Sequence, residues 1–414
     1  MHTFRTFLLI LLVIPSLLPA QQAFTIYNST NSLLPENSVR CIAVAPDGKK
    51  WIGTDYGLAS FDGTVWEVFY TNNSGLPDNA IRSIVVDSSG VIWIGTFSSG
   101  LVRYDGNSWI NYNTFNSDIP DDYVRTLLID SLNNKWVGTI GGLAYFDGLN
   151  WEIYNTSNSN LGSNNISALH LDTITGVLSI GTVNGGINFV DGPNWTHLTN
   201  GNSNLPDNTV LGFAQDTSGV LWLSTPASGI SAYIGGFLFL TQNTVSSGIQ
   251  SNSLRAVVFD RNQDQFWIAS IDSGVIRKSG NTFTSFNTFN SPMPDNFAQS
   301  LAIDHDGIIW IGTQTGGLVR LDESLLTNVS NEMAQHSFRI YPNPVIDHLN
   351  VVCHSAHIRE IEIVDASGRS CLTYVPAQME TEHHLECLKL SKGLYFLNIK
   401  TDGGNQSVQK ILVQ

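Results

Sequence analysis

Arginine returns at one recurring place in this chain. The segments LPENSVR, LPDNAIR and IPDDYVR, and more loosely QSNSLR, end on Arg40, Arg82, Arg125 and Arg255, each directly ahead of an apolar run. A guanidinium is a planar fork that matches carboxylate and sulfate oxygens two at a time. Asn37 and Asn79 stand in the same segments and Asn208 in the related LPDNTV, adding side-chain amides that both donate and accept. Brought to one face, these residues suit a polar or anionic ligand, a glycan or a peptide. The competing expectation pairs each arginine with a nearby acid such as Glu36, Asp78 or Asp122 as a solvated surface contact, which contributes little.

Catalytic chemistry is less well served. General acid–base or nucleophilic catalysis needs a base held beside a nucleophile, yet residues 22–322 hold only His170, His197 and His305, with no recurrent partner. No catalytic residue is therefore assigned; a polysaccharide or lactone lyase or hydrolase stands as one alternative to a ligand-binding protein, and an adhesin or assembly protein acting through its side surfaces as another. The segments CHSAH (Cys353–His357) and HHLEC (His383–Cys387) contain zinc-binding residue types but not a standard zinc spacing. No metal and no cofactor is expected. Recurrent Asp-Gly pairs such as Asp62-Gly63, Asp105-Gly106 and Asp147-Gly148 read as hairpin turns rather than calcium loops.

The elements that must position the arginines come from a repeat. Trp51-Ile52-Gly53-Thr54 recurs at Trp93, Trp136, Ser179, Trp222, Trp267 and Trp310, with spacings of 42, 43, 43, 43, 45 and 43 residues. A fixed period of about 20 to 50 residues signals a stacked or radial architecture. Each copy offers a run ending in Asp (Arg82 to Asp87, Arg125 to Asp130, Gln299 to Asp304), a polar turn and the Trp strand. A Gly-Gly or Ser-Gly turn, a third strand such as Leu101 to Tyr104, an Asp-Gly turn and an aromatic strand such as Trp109 to Tyr112 follow. Four short antiparallel strands per period match one β-propeller blade, a form that leaves few open sheet edges.

The ends of the repeat predict a ring rather than a linear stack. The last copy stops after Leu318 to Leu321 without a fourth strand, while Phe24 to Asn28 is a fourth strand with no blade before it. The expected fold is all-β, a seven-bladed β-propeller closed by that amino-terminal strand. One register of the first strands carries Cys41, Ser83, Thr126, Ala168, Gly212, Ala256 and Ser300, all small, as crowding about an axis requires. The next carries Ile42, Ile84, Leu127, Leu169, Phe213, Val257 and Leu301, suited to wedging between blades. The six strand-start tryptophans are read as packing in those interfaces.

Composition sets the limits. The 414 residues are 42% hydrophobic and 13% charged, enough apolar material for a large core, and 36 Gly with ten Trp favour short strands and tight turns. A formal charge of −15 without a basic run argues against nucleic acid as a partner. Arg5, the apolar run Phe7 to Leu18, and Pro19-Ala20 have the order of a secretory signal peptide over residues 1–20, with no membrane span expected after its removal. Four cysteines, Cys41, Cys353, Cys371 and Cys387, are too sparse for a disulfide framework.

Asp87 to Tyr104 (DSSGVIWIGTFSSGLVRY) and Asp304 to Arg320 (DHDGIIWIGTQTGGLVR) resemble the two-component regulator propeller repeat, and the resemblance covers about residues 22–322. In that family such propellers often form the extracytoplasmic sensing half of signalling proteins. Here the repeat gives way to a segment of another kind, so the sensor role is not expected to carry over. Residues 323–336 read as a polar linker. From 337 to 414 alternating strands are expected at Leu349 to Val351, Ile361 to Val364, Leu388 to Leu390, Leu394 to Ile399 and Val408 to Val413, a small Ig-like β-sandwich. YPNP, IEIVDASG, KGLYF and the closing QKILV resemble the carboxy-terminal sorting domain of the type IX secretion system of Bacteroidota. That resemblance implies the type IX machinery as partner of residues 337–414 and a secreted or cell-surface destination.

Overall fold

The repeat period resolves into seven four-stranded antiparallel sheets in a computed structural model of the chain. The structure describes residues 23–326 apart from 235 and 237, and 338–413 apart from 343, 354–356, 366–368, 377–381, 388–389 and 402–405. The expected signal peptide and most of the expected linker lie outside the described residues. The chain divides into two compact units, Met1–Glu323 and Ser324–Gln414.

The first blade shows the plan. Val39–Val44 is innermost, followed outward by Lys50–Thr54, Gly57–Phe61 and Trp66–Phe69, each paired antiparallel with the one before. The seventh blade is built from both ends of the unit. Ala298–Ile303, Ile309–Thr313 and Leu318–Leu321 supply three strands, and Phe24–Tyr27 supplies the fourth in the register Phe24↔Leu321 to Tyr27↔Leu318. Tyr27 then packs its ring near Trp310 of the seventh blade and against Phe61 and Trp66 of the first. The inner strands of neighbouring blades touch all the way round, Val39–Val44 meeting both Ile81–Val86 and Ala298–Ile303.

Crowding at the axis explains the motif residues. In five blades the small inner-strand residue pairs with the glycine of the following strand: Cys41 with Gly53, Ser83 with Gly95, Thr126 with Gly138, Ala168 with Gly181 and Ser300 with Gly312; in the fifth, Gly212 faces Ser224 instead. The next blade's inner strand lies directly against that glycine. A Cβ added at Gly95 would fall 2.2 Å from Ser83 Oγ and 2.8 Å from the Val124 carbonyl oxygen, and backbone cannot yield as a flexible side chain can. The hydroxyl that ends the motif is buried and donates to the carbonyl of the glycine opening the third strand, as in Thr54 to Gly57 and Thr313 to Gly317, both at 2.8 Å.

Between blades, large residues fill the widening wedge. Trp51, Trp93, Trp267 and Trp310 are buried, and Trp51 lies 5.7 Å from the Phe69 ring and 6.0 Å from Tyr104 of the next blade. The aromatic rows are packing, with a tryptophan at this position in six of the seven blades and Ser179 in the fourth.

In the second unit, Phe338–Tyr341, His348–Cys353 and Glu382–Glu386 form one sheet. Ser370–Tyr374, Ile358–Asp365, Gly393–Thr401 and Gln406–Val413 form the other. Together they make a small β-sandwich around Leu349, Val351, Ile361, Ile363, Leu397, Ile399 and Ile411. Of the expected strand Leu388 to Leu390, residues 388 and 389 lie outside the described residues. The edge of the first sheet is Glu382–Glu386, a strand the sequence did not suggest, in which His383 and Leu385 point inward with Cys387 following, all buried. A histidine in an inward column conceals the period-two pattern.

The Gly95 contact predicts that Gly95→Ala lowers stability by about 1–3 kcal/mol through overpacking, read as a lower urea midpoint with an unchanged slope.

Candidate ligand-binding site

The arginines owe their direction to a bulge. Each inner strand except the fifth blade's slips register at its start: between Val39 and Cys41, Ile81 and Ser83, Val124 and Thr126, Ile166 and Ala168, Leu254 and Val257, and Ala298 and Ser300. The residues passed over are Arg40, Arg82, Arg125, Ser167, Arg255 with Ala256, and Gln299. An extra residue in one strand bends it and re-aims a side chain. In the fifth blade the corresponding residue, Leu211, precedes a strand that begins at Gly212. These positions, one from every blade, line a single cavity of about 360 Å³ together with Tyr123 and Ala256. The structure thus brings Arg40, Arg82, Arg125 and Arg255 together about the axis.

Their partners are unequal. Arg40 forks onto Asp55, with Nε 2.9 Å and Nη2 2.6 Å from Oδ2, and its Nη1 donates to Gln299 Oε1 at 2.6 Å. Arg82 Nη1 reaches the other Asp55 oxygen at 2.6 Å, and its guanidinium lies 4.8 Å from the Phe97 ring centre. Burial by itself raises the Asp55 pKa, but hydrogen bonds from Arg40, Ser38 and Arg82 outweigh it and bring the carboxyl down to about 2. Arg125 donates to Asn165 Oδ1 at 2.6 Å and lies 6.0 Å from the Tyr123 ring centre. Arg255 sits 5.7 Å from the ring centre of Phe297. Among the described residues its guanidinium has neither a hydrogen bond nor an ion pair. Burial first, and then the charges of Arg40 and Arg125, push its pKa down. Two of the four guanidinium groups therefore share Asp55, and the other two meet no carboxylate.

Of the acids expected beside the arginines, Asp78 and Asp122 turn to backbone amides, while Glu36 stays within reach of the Arg40 charge without an ion pair among the described residues. Asp78 Oδ2 accepts from the Ser98 amide and Asp122 Oδ1 from the Thr114 amide, both at 2.8 Å. Burial, followed by the charge of Asp55, raises the pKa of Glu36, whose Oε2 is buried without a hydrogen bond. The expected asparagines are not on the cavity wall. Asn37, Asn79 and Asn208 each accept the backbone amide eight residues earlier, from Ser29, Thr71 and Asn200 at 2.9, 2.9 and 2.8 Å. Asp122, Asn164, Asn252 and Asn296 repeat that bridge, so this position pins the blade-joining loop in all seven copies.

Sequence reasoning missed Asp55, Gln299, Ser167 and Leu211. A column drawn through the residue after the threonine or serine that ends each motif reads Asp55, Phe97, Ile140, Val183, Pro226, Ile271 and Gln314, and its single acid was the available signal. For the other three, the register already marked by the arginines needed only to be followed through the remaining copies.

Among the described residues, no group of three or more His, Cys, Asp or Glu could hold a metal ion. Cys41, Cys371 and Cys387 are free thiols. Cys41 faces the crowded axis, where burial pushes its thiol up to about 12. His384 Nδ1 lies 2.7 Å from Asn350 Oδ1, with its ring 4.8 Å from His348.

Comparison with known families adds the second half of the picture. The two component regulator propeller model matches residues 75–98, 204–227 and 292–315, and the secretion system C-terminal sorting domain model matches 339–414. The chain joins a regulator-type propeller to a type IX sorting domain. It is a secreted or cell-surface protein addressed to the type IX secretion machinery. Among curated proteins none matches the chain in sequence.

Solved structures share the fold. The extracellular domain of a protein described as a hybrid two component system of B. thetaiotaomicron superposes with a TM-score of 0.67 at 18% identity, over 94% of this chain and 57% of its own. PorZ, a surface component of the type IX secretion system of Porphyromonas gingivalis, does so with 0.57 at 16% identity, over 92% and 60%. A streptogramin B lyase matches with 0.59 at 15% identity, over 73% and 99%. This chain therefore spans less than two thirds of the first two. No helix among the described residues is long and apolar enough to cross a membrane.

The Asp55 network predicts an acid dependence. A carboxyl held near 2 against a usual 3.8 favours the folded state above the unfolded value and loses that advantage as pH falls through the folded value. The stability difference between the native chain and Asp55→Asn is expected to be constant above about pH 4 and to vanish between about pH 4 and pH 2. Urea melts at half-unit pH intervals check this.

Proposed function

We propose that the propeller is a binding module whose axial cavity takes a carboxylate- or sulfate-bearing ligand, an acidic glycan or an acidic peptide segment. One observation carries the reading: four bulge-borne guanidinium groups converge, Arg40 and Arg82 are both paired with Asp55, and Arg125 and Arg255 have no carboxylate partner. An incoming anion would supply the missing countercharge and accept several donors at once. Phe97, Tyr123 and Phe297 lie against three of the guanidinium groups, which holds the forks in place before a ligand arrives and reduces the ordering cost of binding.

The lyase alternative draws on fold likeness alone, and fold does not choose between binding and catalysis. The residues lining the cavity include no histidine and no carboxylate, so the wall offers donors without an evident proton acceptor. That supports binding.

The test leaves the Asp55 cluster intact. Arg125→Gln with Arg255→Gln in the mature chain removes the two cations without a carboxylate, and a glycan array bearing uronate, sulfated and neutral oligosaccharides gives the readout. Each charge-assisted hydrogen bond contributes about 1.5–3 kcal/mol, so the native chain is expected to retain acidic glycans and the double variant to bind them at least about a hundredfold more weakly. Equal binding by both proteins, or retention of neutral glycans alone, contradicts the proposal. Turnover of an acidic glycan by the native chain would move the reading to the lyase.

A further inference from the structure

The fourth blade breaks the repeat at three places that meet. Where six copies have tryptophan, the fourth has Ser179. Its inner-strand neighbour in the register is His170, while the other copies place Ala43, Val85, Leu128, Ala214, Val258 and Ala302 there. Across the interface the fifth blade presents Gln215, at a position held elsewhere by Val44, Val86, Ile129, Leu171, Phe259 and Ile303. Three apolar positions have become polar at one blade interface.

The space left behind is only partly refilled. Phe189, paired with Ser179 on its other side, crosses to stack on Tyr233 of the fifth blade, with ring centres 4.5 Å apart and planes inclined by 13°. Tyr233 is the counterpart of Tyr104, which in the second blade receives the edge of Trp51. A cavity of about 320 Å³ remains, lined among others by His170, Asp172, Ser179, Phe189, Gln215 and Tyr233. Cavities of about 150 Å³ already hold a benzene ring, so two fused rings fit.

The polar groups on its wall are not equally satisfied. Gln215 Nε2 donates to Asp172 Oδ2 at 3.0 Å and to the Gly219 carbonyl at 3.1 Å. His170 Nε2 is buried and has no hydrogen bond. A buried polar atom without a partner is costly unless a guest completes it.

We infer that this cavity between the fourth and fifth blades is a second binding site, taking a small planar two-ring aromatic molecule that carries an N–H or O–H donor. The guest stands where the other blades carry their own indole, its face against the Phe189–Tyr233 pair and its donor directed to His170 Nε2. Burial lowers the His170 pKa, with a hydrogen bond to Gln215 and the charge of Asp172 acting against it. The site is separate from the axial cavity, and its test does not depend on the arginines.

Indole is the probe, titrated calorimetrically into the mature chain, with naphthalene as the same shape without a donor. Indole is expected to bind saturably, to raise the melting temperature, and to bind about fivefold more tightly than naphthalene, the effect of one hydrogen bond. Ser179→Trp restores the blade's own ring and is expected to melt higher and to bind neither compound. Should that variant not fold, His170→Phe carries the test, expected to bind indole and naphthalene equally. Absence of saturable indole binding to the native chain, unchanged binding by Ser179→Trp, or an unaltered indole preference in His170→Phe overturns the inference.

Discussion

Seven strands must share one axis, and that geometric constraint governs the rest of the propeller unit. It is met only because Phe24–Tyr27 completes the sheet that Leu318–Leu321 leaves open, so that the seventh blade has four strands like the other six. Closure then forces the inner strands together. Small residues facing glycines, as at Ser83 and Gly95, are the physical consequence. The outward wedge asks the opposite of the sequence, and the buried tryptophans answer it.

Closure also creates the electrostatics of the axial cavity. The chain carries a formal charge of −15, yet the register slip at the head of the inner strands turns four guanidinium groups toward one small volume. Screening in physiological salt limits the reach of exposed charges to about 8 Å, so the distant acids of the surface count for less at the axis than the arginines themselves. A low-dielectric wall around a cluster of one sign focuses its field. The same crowding that excludes large side chains one residue further along thus gathers the positive charge.

Much of this was legible from residue order alone. The period, the blade count, the closing strand and the small inner register are local patterns written seven times, and repetition separates them from noise. The bulge was not legible. Val39-Arg40-Cys41 reads as simple alternation, and nothing in those three residues announces that Arg40 is skipped in the pairing. Asn37, Asn79 and Asn208 were placed with the ligand because their residue type suits recognition; their bridges to backbone eight residues earlier depend on how the loop folds back. The missing tryptophan at Ser179 was visible as a departure from the repeat, but its consequence rests on Phe189 and Tyr233 meeting from different blades. In the sorting domain, His383 disguised a strand by occupying an inward position.

The claim on which the axial site depends is that the amino-terminal strand belongs to the seventh blade. Native-state hydrogen exchange of the amides that Phe24–Tyr27 and Leu318–Leu321 exchange across their pairing tests it directly. If the ring is closed by this strand, those amides exchange only through global unfolding, with the same free energy as the central strand Ile309–Thr313. Exchange as fast as that of an exposed loop tip such as the one carrying Phe115 would contradict the closed ring, and with it the geometry that brings the four arginines together.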